Sequence, residues 1–381
     1  MTSALVHDYF LVRGGAERVA GHLAAVKDFD AFFALAARPP STPAAVPLES
    51  LRTSSLQRLP FVDRYYRSLL PLYPRAARAL PTADFDLVLA STSAWAHHVR
   101  TTGKLVVYCH TPPRFLWAPE TYLAREGAIV RGIGLRAGQL LLSRLRELDR
   151  EAAARADTYI ANSKVTAGRI EQSYGRTAHV ISPPVDVDRF EATTRGDADP
   201  YAVVVARLQP YKRIDVAIDA CRRLRIPLKI VGVGPADRAL RARAEDGVEF
   251  LGKVEDAAVA EVISGSAVVI VTGEEDFGLV PLEANAAGRP VVAFRSGGAT
   301  ETVVDGITGV LVDRQDAAEF ADAIRAAVDR EWDIRRLRSH AEAFDIRAFV
   351  AAVRDVCDQR IPEVDGGLGN AHRDRLEHAP A

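Results

Sequence analysis

Two glutamates separated by seven residues stand in the run Gly273-Glu274-Glu275-Asp276-Phe277-Gly278-Leu279-Val280-Pro281-Leu282-Glu283. An apolar run precedes it and a helical pattern opens at about Leu279. That places Glu275 at a strand end and Glu283 just over one turn into a helix. A helix N-terminus offers backbone N–H groups without intrahelical partners and the positive end of the dipole, which together make an anion site. Carboxylates beside it accept hydrogen bonds from vicinal hydroxyls, as on a sugar or a ribose. Amides for phosphate and carboxylates for hydroxyls suit a nucleotide sugar.

A nucleoside diphosphate accumulates negative charge as its bond to a sugar breaks, and fixed cations offset that charge. Arg207 and Lys212, five positions apart in Arg-Leu-Gln-Pro-Tyr-Lys, follow another apolar run. A guanidinium binds phosphate oxygens in pairs, and an ammonium acts as a point charge. Read as an ordinary helix-start cluster, the segment would make Arg213 an equal candidate. Asp186-Val187-Asp188 has the form of a DxD metal motif, but it follows Pro183-Pro184, away from a strand end. With Arg207 and Lys212 supplying the charge, no metal or other cofactor is expected.

The first half adds Gly14 and Gly15, where glycine lets a backbone approach a phosphate or sugar closely. Gly232 lies in a similar loop of the second half. Neither forms GxGxxG, so a nicotinamide-type fingerprint is absent. His110 follows the apolar run 105–109, and Asn162-Ser163 ends another run and caps the next helix. His97 and His98 receive no role.

Strands and helices alternate so as to position these residues. In the second half the pattern predicts strands at 201–206, 228–231, 248–251, 267–271 and 291–294. Helices are expected at 214–224, 236–244, 259–263 and 279–287. In the first half strands are expected at 4–7, 87–90, 105–109, 158–161 and 179–181. Continuous Val/Ile/Leu strands between helices indicate parallel sheets covered on both faces. The expected fold class is α/β, two Rossmann-like doubly wound domains with ligands at the carboxyl ends of their strands. The boundaries read as 1–183, a linker at 184–200, a second domain at 201–345, a helix at 346–360 and a polar tail at 361–381.

The run Glu275–Glu283 resembles the E-x7-E motif of the retaining GT-B-fold glycosyltransferases of family 4. The resemblance extends through Ala287-Gly-Arg-Pro-Val291, Gly297-Gly-Ala-Thr-Glu301 and Gly306-Ile-Thr-Gly309. It implies that Glu275 holds donor-sugar hydroxyls and Glu283 the ribose, with Phe277, Gly278 and Leu279 giving backbone contacts. It also implies that Arg207 and Lys212 neutralise the diphosphate, that the Gly14-Gly15 loop faces the donor and that His110 lies near the reacting sugar carbon. Catalysis would then fall to His110, Glu275, Arg207 and Lys212. The resemblance further implies a deep cleft between the domains and a C-terminal helix crossing back to the first. The base is expected near Lys253 and Val254. The HDY…GGAERV start and the YCHTPPRFLW segment look most like bacterial mannosyltransferases of surface-polysaccharide assembly. GDP-mannose is therefore the first donor expected, with UDP-sugars open and a GT-B nucleotide-sugar epimerase as the nearest rival. The acceptor would be a saccharide or a lipid-linked saccharide.

Bulk properties set limits. The 381 residues carry a net charge of -1, 48% hydrophobic and 26% charged residues, an ordinary globular balance that gives no support to nucleic-acid binding. Three dispersed cysteines without a CxxC pair read as free thiols. No apolar run is long enough to span a membrane, and no signal-peptide pattern opens the chain, so a cytoplasmic location is expected. Two arginine-rich stretches remain. Residues 59–80 hold Arg64, Arg67, Arg75 and Arg78 among Phe61, Tyr65, Tyr66 and Tyr73. Residues 125–150 hold Arg131, Arg136, Arg144 and Arg146 among Ile129, Val130, Ile133 and Leu140–Leu142. Two readings stand side by side: a basic face on an anionic membrane, or helices with an apolar core face and a solvated arginine face.

Overall fold

The computed structural model describes residues 1–60, 62, 69, 71–118, 135–190 and 200–358. The chain divides into two compact units, Met1–Pro183 with the segment starting at Arg347, and Pro184–Ile346.

In the first unit the elements run β1 (Ser3–Phe10), α1 (Gly15–Leu23), β2 (Ala31–Ala37), β3 (Leu51–Thr53), α2 (Tyr73–Arg78), β4 (Leu87–Thr92) and β5 (Lys104–Cys109). They continue with α3 (Arg114–Trp117), α4 (Leu135–Ala154), β6 (Thr158–Ala161), α5 (Lys164–Tyr174) and β7 (His179–Val180). The strands form one parallel sheet in the order β3-β2-β1-β4-β5-β6-β7. β1, β2, β4 and β5 are buried along nearly their whole length, as a sheet covered on both faces requires. Trp95, Tyr73, Phe33 and Tyr159 fill the core on one face.

The second unit runs β8 (Ala202–Val205), α6 (Ile214–Leu224), β9 (Leu228–Val231), α7 (Asp237–Arg243), β10 (Val248–Gly252), α8 (Asp256–Ser264) and β11 (Val268–Val271). It ends with α9 (Leu279–Ala286), β12 (Val291–Phe294), α10 (Ala299–Thr302), β13 (Gly309–Val312), α11 (Ala317–Asp329) and α12 (Ile334–Glu342). Its parallel sheet has the order β10-β9-β8-β11-β12-β13. In both sheets the strand order reverses beside the first strand, at β1/β4 and at β8/β11. Such switch points open a crevice at the carboxyl ends of the strands.

The last helix, α13 (Ile346–Cys357), packs on the first unit. Phe349 meets the Tyr108 ring edge-on at 5.7 Å, and Arg354 Nε donates to the Val26 carbonyl at 2.7 Å. Lys104 Nζ donates to the Val356 carbonyl at 2.7 Å, capping the helix's C-terminus with a cation.

The expected strands and helices of the second half appear with their ends shifted by no more than three residues. β2, β3 and β13 and helices α10, α11 and α12 were not expected. Cys109, Cys221 and Cys357 are buried and in no disulfide, and burial pushes the Cys221 and Cys357 thiols up to about 12. Of the arginine-rich stretches, Phe61, Arg64, Tyr65, Tyr66, Arg67, Ile129, Val130, Arg131 and Ile133 lie outside the described residues, as does 361–381. No helix among the described residues is long and apolar enough to cross a membrane.

Candidate functional site

In the second unit the loops after β8, β9 and β11 meet through backbone contacts that only glycine allows. Gly232, at φ 133°, brings its Cα so near the Ala206 carbonyl that a Cβ would stand 1.9 Å from that oxygen. Gly273 lies against Lys212, where a Cβ would stand 2.6 Å from the lysine Cα. Thr272 Oγ1 donates to the Lys212 carbonyl at 2.8 Å, and Gln315 Nε2 donates to the Thr272 carbonyl at 2.7 Å. The Lys212 turn is thereby fixed to the end of β11.

These contacts bring Lys212 Nζ into an ion pair with Glu275. Both side chains are largely shielded, 11% and 24% exposed, so the pair is less screened than a surface one. Glu275 is in turn locked from behind: its carbonyl accepts the Gly298 N–H at 2.9 Å, and Gly297, at φ 62°, bridges to it. Gly278, at φ 92°, forms the N-cap of α9. By helix geometry the amides of Gly278, Leu279 and Val280 have no intrahelical acceptor, and Pro281 has no N–H to satisfy. Glu283 lies one turn on, 2% exposed, and Phe277 is buried in the core beneath.

Arg207 is exposed just past β8 and, among the described residues, makes no ion pair. Arg213 behaves differently. Its guanidinium is tied to Asp215 at 3.2 Å while its backbone, at φ 52°, caps α6. Of the cations in this segment, Arg213 is therefore committed to the helix start. Lys253 is exposed and Val254 half-buried just past edge strand β10, two strands from β8. Asp186 and Asp188 flank Val187 in a single helical turn, with Asp188 99% exposed and 3.9 Å from Arg338.

In the first unit Gly14 is the N-cap of α1, Gly15 opens it, and Glu17 is buried in its first turn. Asp8, near the end of β1, draws the loop after β4 inward. Its carboxylate accepts the backbone N–H groups of Ser93, Trp95 and Ala96 at 2.6–2.7 Å and the Thr92 hydroxyl at 3.1 Å. His110 lies just past β5 and is 7% exposed. Its N–H donates to the Thr92 carbonyl at 2.8 Å, and its carbonyl accepts from Asn162 Nδ2 at 3.0 Å. Ser163 caps α5 as expected, accepting the Thr166 N–H at 3.0 Å.

His97 and His98 belong to a different, fully enclosed group. Their Nε2 atoms lie 3.0 and 3.1 Å from one oxygen of Asp149, while Trp117 Nε1 and the Tyr174 hydroxyl donate to the other, each at 2.8 Å. Burial opposes the Asp149 charge, but the two histidines outweigh it and hold the carboxyl below its usual range. Burial lowers His98 to about 4. These three residues form the one candidate metal-ligand group among the described residues. Their hydrogen-bond distances and occupied carboxylate describe an internal clasp joining α3, α4 and α5. Asp8 and Asp149 escaped the sequence reading because a lone aspartate carries no spacing signal.

The fold and these sites define a class, the GT-B architecture of two Rossmann-like domains. HepE of Anabaena in complex with UDP-glucose superimposes with a TM-score of 0.67 at 20% identity, covering 94% of this chain and 100% of that one. Sucrose-phosphate synthase of Thermosynechococcus elongatus does so at 0.70 and 18%, covering 94% and 99%. Residues 13–189 match Glycosyltransferase Family 4, and residues 188–344 match Glycosyl transferases group 1. Together the two matches span residues 13–344 of this chain. Among its relatives is D-inositol 3-phosphate glycosyltransferase of Geodermatophilus obscurus, 32% identical over 293 residues, 66% of this chain and 65% of that protein. The protein of the same name from Mycolicibacterium smegmatis is 31% identical over 241 residues, 56% of each chain. The chain spans just under two thirds, or less, of the length of these relatives.

Proposed function

We propose that this chain is a retaining, metal-independent glycosyltransferase that moves a sugar from a nucleoside diphosphate to a hydroxyl acceptor. The observation that carries the reading is the joint placement of Lys212, Glu275 and the open amides of α9 at the β8/β11 switch point. The diphosphate would lie against those amides, with Lys212 and Arg207 offsetting its charge. Glu275 would orient the sugar through its hydroxyls and Glu283 would take the ribose. As the glycosidic bond to phosphate breaks, an oxocarbenium-like centre forms. The departing β-phosphate oxygen accepts the acceptor's proton on the same face, so configuration is kept. No side-chain nucleophile is needed.

HepE was captured with UDP-glucose, which supports trying UDP-sugars first. GDP-mannose, favoured by the HDY…GGAERV and YCHTPPRFLW segments, is the second donor. The relatives' name supports D-inositol 3-phosphate as the first acceptor to test, followed by saccharides and lipid-linked saccharides. A thermal-shift panel of UDP, GDP and their sugars tests the donor. A ligand at about 100 times its Kd stabilises the folded state by roughly 2.7 kcal/mol. One nucleoside diphosphate family should raise Tm with chelator present, and product NMR should show the donor's own anomeric configuration. Failure of every nucleotide to shift Tm, or an inverted product, overturns the proposal.

A further inference from the structure

We infer that His7 and Ser91 form a buried relay that fixes the ring hydrogen of His110 on Nδ1, so that an acceptor oxygen meeting that atom, a ligand's included, is offered a hydrogen bond. The ligand's nature rests on the functional reading above; the relay itself rests on the first unit's geometry.

β1 and β4 are in register at His7 and Ser91, so these side chains leave the same face of the sheet. Tyr108 of β5 lies opposite Ser91, and His110 follows two residues on. The row thus crosses the first unit's switch point. His7 Nδ1 lies 3.2 Å from the Ser91 carbonyl oxygen and 3.0 Å from Ser91 Oγ. Ser91 Oγ lies 2.9 Å from His110 Nε2. A carbonyl oxygen only accepts, so His7 Nδ1 carries the hydrogen and shares it between the carbonyl and the hydroxyl. The hydroxyl accepts from His7 and turns its single hydrogen to His110 Nε2. Nε2 becomes an acceptor, and the hydrogen of the neutral His110 ring resides on Nδ1.

The surroundings favour this direction. His7 is fully buried and stacks on the Phe10 ring at 4.7 Å. Burial lowers its basicity more than Asp8 and the Ser91 carbonyl raise it, which keeps the ring neutral. The His110 backbone is held at both its N–H and its carbonyl, so the loop cannot carry the ring away from Ser91. A sugar or phosphate oxygen reaching Nδ1 is met by an N–H. The ring does not take a proton at that atom. Ser91 and His7 are positioning residues.

Long-range proton–nitrogen NMR of the full chain with nitrogen-labelled histidine reads the tautomer directly. The His110 signals are assigned by their loss in His110→Gln. The wild type should show a protonated Nδ1 and an unprotonated Nε2 in His110. Ser91→Ala and His7→Phe should mix the two tautomers. His7→Asn places an amide N–H where Nδ1–H stood, and should restore the wild-type pattern. A hydrogen on His110 Nε2 in the wild type, or an unchanged pattern in Ser91→Ala, overturns the relay. In the same Ser91→Ala protein, losing one hydrogen bond should lower kcat about tenfold with a smaller change in KM. A mixed tautomer with unaltered turnover leaves the relay standing and removes His110 from the reaction.

Discussion

Lys212→Ala separates binding from chemistry. Lys212 is engaged by Glu275, so a diphosphate has to share its ammonium with that carboxylate. A hydrogen bond to a charged group contributes about 1.5–3 kcal/mol in net terms, and the sharing consumes part of it. The nucleoside diphosphate Kd should therefore rise by about tenfold, roughly 1.4 kcal/mol. Breakdown is different, because the charge on the β-phosphate grows while the ammonium is fixed in place. Removing one such preorganised partner costs on the order of a hundred- to a thousandfold in kcat. Stability should fall by only about 1–3 kcal/mol, the cost of leaving the largely shielded Glu275 carboxylate without its cation, and the fold should be retained. The assay is calorimetric titration with the nucleotide identified by thermal shift, alongside steady-state release of nucleoside diphosphate. A kcat loss smaller than the loss in Kd, or near-normal turnover, would refute the placement of Lys212 on the leaving group.

Other outcomes follow from the same geometry. Gly273→Ala forces a Cβ to within 2.6 Å of the Lys212 Cα; overpacking of this kind costs about 1–3 kcal/mol, and turnover should fall far more than Tm. If turnover survives with a lowered Tm, the Gly273–Lys212 contact is structural only. Chelator should leave turnover unchanged; its abolition and restoration by manganese would assign Asp186 and Asp188 a role they do not have in this account. His98 is lowered to about 4 in the folded protein, against about 6.5 when unfolded. The unfolded chain thus binds this proton first, so stability is full above about pH 6.5 and is lost as pH falls toward 4, by about 3 kcal/mol. Urea unfolding at pH 7 and pH 4.5 measures it, and His98→Asn should flatten the slope; an equal slope in the variant rejects the assignment.

The second half of the chain was easier to read than the first, for a physical reason. Its strands are short Val/Ile/Leu runs separated by helices with a clear apolar face, as in α6, where Ile214, Ala217, Ile218 and Cys221 are buried. β2, by contrast, is Ala-Phe-Phe-Ala-Leu-Ala-Ala, a run that suits a helix as well as a strand, and β3 is three residues long. Pairing with β1 and β3 makes a strand of β2. The functional residues divide the same way. Glu275 and Glu283 announce themselves through spacing relative to a strand end and a helix start. Ser91 and His7 do not, because their relation is cross-strand register between segments more than eighty residues apart. Arg207 and Arg213 looked alike until the structure tied Arg213 to Asp215.

The central claim is that a nucleoside diphosphate lies against the loops after β8 and β11. Hydrogen–deuterium exchange of the full chain, with and without saturating nucleoside diphosphate in chelator, tests it most directly. Exchange should slow in peptides covering 206–213 and 273–283, including the amides of Gly278, Leu279 and Val280. Tight binding with those peptides unchanged, and protection confined to other segments, would contradict it.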